Sequence, residues 1–165
     1  MKFYVRNKFF TIGESSYVED EQKNRLFKIK GKVFTFTRKK KIYDMNGNLC
    51  YVVRNKFWHF LKTSTFIFDA EGNKVAQLSN NDWDFKNKFV LTGGSDDITI
   101  SGNLFQFPDM KLQVTKNDKV IGSITKEFNL LKDTYRVDVD DDKDAAFLVA
   151  LVISIDNIYD DRKRR

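Results

Sequence analysis

Apolar and polar residues alternate with a period of two from the start of the chain to about residue 139, the pattern of strands buried on one side. In Leu26-Phe27-Lys28-Ile29-Lys30, Phe27 and Ile29 point one way and the two lysines the other. Phe34 and Phe36 alternate with Thr35 and Thr37, and Phe66 and Phe68 flank Ile67. Ile98 and Ile100, Leu112 and Val114, and Tyr135, Val137 and Val139 repeat the pattern. Between these runs fall Asn46-Gly47, Glu71-Gly72, Gly93-Gly94 and Asn117-Asp118, residues that accept the positive φ of tight hairpins. Ile42-Tyr43-Asp44-Met45-Asn46-Gly47-Asn48 recurs as Ile67-Phe68-Asp69-Ala70-Glu71-Gly72-Asn73, with a weaker copy at Val114 to Lys119. The repeat reads as strand, turn and returning strand, its Asp bonding nearby backbone N–H groups. Many short strands at regular spacing predict a meandering antiparallel barrel or sandwich.

The pattern changes at Ala145. Ala145 to Ile155 holds one polar side chain, Ser154. Asp140, Asp141, Asp142 and Asp144 precede the run, where carboxylates cap a helix and complement its positive end. The competing reading is a buried strand, because Val and Ile favour sheets. The Asp cluster and the paired alanines favour a helix near 143–156. It is too short for a bilayer, which takes about 20 residues, and being apolar on every side it must be surrounded. A barrel wider than about eight strands needs something inside it. A helix of 11 to 13 residues is roughly 18 Å long, about as tall as strands of five or six residues. The sequence thus predicts a mainly β domain over 1–160: about 12 antiparallel strands closed round a C-terminal helix whose Phe147, Leu148, Leu151, Val152 and Ile155 form the core. A basic tail over 161–165 follows.

Composition narrows the chemistry. The 165 residues, 15 % of them aromatic, fit one domain. With one Cys and one His, neither a disulfide framework nor a Cys/His zinc site can form. No phosphate loop, Gly-x-Ser-x-Gly elbow or zincin motif occurs, and His59 has no paired acid or nucleophile in view. We therefore expect no enzyme activity and no cofactor. The N-terminus is charged too early for the apolar run of a signal peptide, and a reduced Cys50 fits a cytoplasmic protein, peripheral to membranes at most.

The chain resembles the LURP-one-related family of the tubby C-terminal-like superfamily, which also includes phospholipid scramblases. The likeness is carried by Ile42 to Val52 with its Asp-x-x-Gly-Asn turn, by Val120-Ile121-Gly122-Ser123-Ile124-Thr125-Lys126-Glu127-Phe128, and by Asp144 to Asp156 with Ile158. It implies a 12-stranded barrel round a hydrophobic C-terminal helix. It implies no catalytic set, and although tubby-like relatives bind phosphoinositides through basic side chains, no motif here matches those residues.

The formal charge is +6, a field that attracts anionic partners or simply keeps the protein soluble. Arg38-Lys39-Lys40-Lys41 is the densest basic run outside the tail, with Arg38 and Lys40 on one face and Lys39 and Lys41 on the other. With Arg54, Lys56 and Lys62 it forms a candidate cationic patch for lipid headgroups or nucleic-acid phosphates. The alternative is an edge strand guarded by lysines. Phe57-Trp58-His59-Phe60-Leu61 and Trp83 suit either a barrel plug or a membrane-interface anchor. Asp138, Asp140 and Asp142 imitate the opening of a calcium loop, and scramblase relatives carry an acidic segment before their helix that is associated with calcium. Lys143 and Val149 stand where such a loop wants Gly and Glu, and helix capping explains the same carboxylates. The expected function is a monomeric binding or scaffold domain contacting an anionic lipid surface or a protein partner; nucleic-acid binding is the alternative, followed by an enzyme of unknown chemistry.

Overall fold

A computed structural model describes residues 1–6, 15–31, 39–57, 63–79, 88–91, 94–103, 110–129 and 132–163. The strands are β1 (Lys2–Arg6), β2 (Ser16–Asp20), β3 (Arg25–Gly31), β4 (Lys39–Asp44), β5 (Leu49–Phe57), β6 (Thr63–Phe68), β7 (Lys74–Ser79), β8 (Lys88–Leu91), β9 (Ile98–Asn103), β10 (Met110–Lys116), β11 (Lys119–Asn129) and β12 (Lys132–Val139). They form one 12-stranded sheet in the order β7-β6-β5-β4-β3-β2-β1-β12-β11-β10-β9-β8, with antiparallel neighbours throughout. The order is a meander whose first and last strands also pair: Phe3 of β1 lies opposite Val137 of β12. At its two ends, β7 and β8, no hydrogen-bonded ladder joins the strands among the described residues. They come close nonetheless, because a Cβ on Gly94 would strike the Val75 backbone of β7.

The alternation read in the sequence sets the faces. Met110, Leu112 and Val114 of β10 are buried while Lys111 and Gln113 are exposed. Phe27 and Ile29 share a side, Phe27 packing edge-on against Phe3 at 6.4 Å. The Phe34–Phe36 alternation lies outside the described residues.

After β12 a single 3-10 turn, Asp142–Asp144, leads into α1, Ala145–Lys163. Asp141 caps the turn, its carboxylate accepting from the Lys143 backbone N–H at 3.1 Å. The helix runs past the expected end at 156, so residues 161–163 extend it rather than beginning a separate tail. No Gly or Pro stops it there. From Ala145 to Ile158 every residue but Ala146 is buried, including Phe147, Leu148, Leu151, Val152 and Ile155. Each large apolar side chain so placed contributes about 1.5–3 kcal/mol. Ser154 is accommodated by donating its hydroxyl to the Ala150 carbonyl at 2.8 Å. The helix packs against β4, β5, β6 and β7 and against β12.

Because all neighbours are antiparallel, the meander assigns each connection to one of two ends. The β2–β3, β4–β5, β6–β7, β8–β9 and β10–β11 turns share one end with the start of α1. Three of these turns are built identically. Asp20, Asp44 and Asp69 each accept from the backbone N–H and the side-chain Nδ2 of an Asn four residues on, at 2.7–2.9 Å. The fourth residue has positive φ in every case: Gly47 at 90°, Gly72 at 92°, and Lys23 at 66°. The Asp20–Asn24 turn is a third copy that Lys23 conceals in the sequence. The β10–β11 hairpin is a different device, with Asn117 and Asp118 both at positive φ.

Candidate anion-binding face

The outer faces of β2 to β7 bear cations and aromatic rings together. The β3–β4 register places Lys30 opposite Lys41, and the β4–β5 register places Lys39 opposite Arg54. All four lie on the outward-facing side, since Ile29, Lys40, Ile42, Val53 and Asn55 occupy the buried positions between them. Like charges directly opposed on a sheet are destabilising, each such pair costing roughly 0.2–1 kcal/mol against a neutral one. Rings partly compensate. Lys30 Nζ lies 5.3 Å from the centroid of Tyr43, Arg54 Cζ 5.4 Å from Phe68, and Lys74 Nζ 5.9 Å from Phe66. Arg25 Cζ stacks 3.9 Å above Tyr17, with Lys28 on the same ring at 5.8 Å. Such contacts contribute about 0.5–1 kcal/mol at exposed sites and leave the charge in place. Among the described residues, Lys28, Lys30, Lys41, Arg54 and Lys74 have no carboxylate at ion-pair distance.

The patch read from the sequence is therefore divided. Lys39, Lys41 and Arg54 come together on the outer face. Lys40 does not, and its assignment to the patch is corrected: strand alternation turns it inward with Ile42, 3 % exposed, where its Nζ donates to Asn157 Oδ1 of α1 at 3.3 Å. Lys56 occupies the ladder position opposite Ser64. Arg38, Lys62, the Trp58–Leu61 stretch and Trp83 lie outside the described residues. Lys28, Lys30 and Lys74 belong to the face and were missed, because each stands alone in the sequence and only strand pairing gathers them.

Lys40 joins a buried polar group near the C-terminal half of α1. Asn157 Nδ2 donates to Asn55 Oδ1 at 3.0 Å, and the Thr65 hydroxyl reaches the same oxygen at 3.3 Å. The Tyr135 hydroxyl donates to Asp156 Oδ1 at 2.9 Å, and Lys126 Nζ lies 5.1 Å from the Tyr135 ring centroid. The sequence signal was Asp156-Asn157, two polar residues continuing an otherwise apolar helix.

At the opposite end of α1, a cleft of about 390 Å³ is lined in part by Asp96, Lys116, Asn117, Asp140, Asp141 and Asp144. Lys116 Nζ joins Asp96 at 3.1 Å and Asp144 at 3.9 Å. The Asn117 side-chain bond, aided by Lys116, holds the Asp96 carboxyl below its usual range. The calcium alternative is not assembled. Asp138 faces Arg136 at 3.3 Å and Lys2 at 4.0 Å, while Asp140 and Asp142 do not join it in any cluster of three metal-ligating side chains among the described residues. Cys50 is half-buried, and burial pushes its thiol above the ordinary pKa, away from the reactive thiolate.

A mainly β sheet, a buried C-terminal helix and the three quoted segments in order define the class. The LURP-one-related family model matches residues 1–156, and the chain belongs to that family. It is similar to the uncharacterised protein YxjI of Bacillus subtilis (strain 168), 21 % identical over 162 residues spanning 98 % of this chain and 96 % of that protein. No solved structure matches the chain. No helix among the described residues is long and apolar enough to cross a membrane.

Proposed function

We propose that this protein is a non-enzymatic binding domain that associates with anionic membrane surfaces through the outer face of β3, β4 and β5. Its sheet would close round α1 as a tubby C-terminal-like barrel, leaving the outer wall for contact. The observation that carries this reading is the like-charge opposition of Lys30 and Lys41 across β3 and β4 on the outer face. A sheet selected for stability alone would alternate signs at such positions. An anionic surface turns that cost into attraction, at about 1 kcal/mol for each basic residue near the headgroups. Lys28, Lys30, Lys41 and Arg54 would supply roughly 4 kcal/mol, an association near millimolar that salt releases. The half-exposed Tyr43 ring suits the headgroup level, where amphipathic aromatic side chains gather.

Cosedimentation with phosphatidylserine-containing vesicles at low and high salt tests the reading. Salt-sensitive pelleting, absent with phosphatidylcholine alone, is expected. No pelleting at low salt overturns it, and tighter, sequence-independent capture of single-stranded nucleic acid would transfer the face to that class of ligand.

A further inference from the structure

Charge on this molecule is segregated along the strand direction. The segments 20–24, 44–48, 69–73, 94–97, 117–118 and 140–144 all lie at the α1-start end of the sheet. They hold 12 of the chain's 23 Asp and Glu but 2 of its 29 Lys and Arg, a net of −10 in a chain of +6, leaving +16 elsewhere. Lys2, Arg25, Lys74, Lys116 and Lys119 at the flanking strand ends reduce that negative charge without reversing it. Of the outer-face cations, Arg25 and Lys74 border the acidic turns, but Lys30, Lys39, Lys41 and Arg54 lie toward the other end: β3 finishes at Lys30 and Gly31, β4 begins at Lys39, and Arg54 stands in the second half of β5. Six residues of strand span about 20 Å, some two Debye lengths at physiological salt. The two regions therefore act on a charged plane separately, one attracted and one repelled.

We infer that the domain binds an anionic membrane in a single orientation, with the β2–β3, β4–β5 and β6–β7 turns and the start of α1 directed away from the lipid. This rests on the membrane reading above and adds to it which end meets the surface. The acidic rim acts by repulsion, so it needs no ligand of its own; the identical Asp–Asn turns fix its carboxylates in the ionised state, each accepting two bonds from its Asn.

Two single-cysteine variants of the full chain, each carrying Cys50→Ser, test the orientation. Ala70→Cys places a fluorophore at the β6–β7 turn, and Ser64→Cys places one on the outer face at the far end of β6. Both positions are clear of the core, and each labelled variant must keep the parent's melting curve. With vesicles of phosphatidylserine and phosphatidylcholine carrying a headgroup quencher, the Ser64 probe is expected to be quenched at least threefold more than the Ala70 probe. Equal quenching, or stronger quenching at Ala70, overturns the orientation while leaving membrane binding intact; absence of any vesicle binding overturns both. Adding Glu71→Gln, Asp97→Asn and Asp118→Asn to the Ala70 variant should raise its quenching toward that of Ser64. Unchanged discrimination would show that charge segregation does not set the orientation, and would also overturn the inference.

Discussion

Gly122 of β11 and Leu148 of α1 occupy one another's space: a Cβ at Gly122 would stand 2.8 Å from Leu148 Cδ1. The same Cβ would strike the Asp138 carbonyl of β12. Glycine is thus required where β11 meets both its neighbour β12 and the Leu148 side chain of the helix. Gly122→Ala should lower stability by about 1–3 kcal/mol, the usual cost of overpacking a tight core. The midpoint of urea unfolding measures it; an unchanged midpoint would mean the helix is free to shift.

The hydroxyl of Tyr135 donates to the buried carboxyl of Asp156 at 2.9 Å, and removing one partner of such a buried bond costs about 1–3 kcal/mol. Tyr135→Phe keeps the ring and removes that donor. Unfolding stability should fall by that amount, with vesicle affinity per folded molecule unchanged, because the pair lies inside the sheet.

Lys23 adopts φ of 66° in the turn where its two counterparts are glycine. The left-handed conformation costs an L-residue roughly 1–2 kcal/mol, part of which a glycine returns as unfolded-state entropy. Lys23→Gly should therefore stabilise the fold by about 0.5–1 kcal/mol, read as a rise in Tm. A fall would show that the Lys23 side chain contributes more than its backbone costs.

Acid should weaken the protein through the three Asp–Asn turns. The Asn side-chain bonds hold Asp20, Asp44 and Asp69 below their ordinary value of 3.8. Depressed folded-state values mean that the stabilisation is complete above the unfolded pKa and is lost as pH falls through the folded one. The Tm should be flat near neutrality and drop below about pH 4. Replacing all three by Asn should flatten that acid limb, as thermal scans at stepped pH would reveal.

Lys41→Glu separates binding from folding. It would convert the opposition with Lys30 into an ion pair, raising stability by about 0.2–1 kcal/mol. It should also weaken vesicle binding by roughly thirtyfold, from two units of charge at about 1 kcal/mol each. Stability and affinity moving in the same direction would count against a binding role for this face.

The sequence made the strands legible because one face of each is buried, so periodicity survives in runs such as Met110 to Val114. It made α1 legible as an apolar run between charged flanks, but not its length, since residues 157–163 are polar apart from Ile158 and Tyr159 and continue the helix without a sequence break. The site was harder to read. Lys39 and Lys41 announced themselves as a basic run, which also misled at Lys40, whose neighbours in sequence do not share its face. Lys28, Lys30 and Lys74 become part of a surface only through pairing between strands, and a repeat search tuned to glycine passes over the turn at Lys23.

The placement of α1 has a consequence for biogenesis. Every strand it packs against is made before it, so during synthesis a long, aromatic-rich sheet must wait for the segment that covers its buried face. Contacts between β4 or β5 and α1 span roughly a hundred residues, and closure of that kind is slow. Until the helix arrives, the nascent strands expose apolar surface and unpaired edges that favour pairing with other chains, so the late-emerging segment closes the window for misassembly.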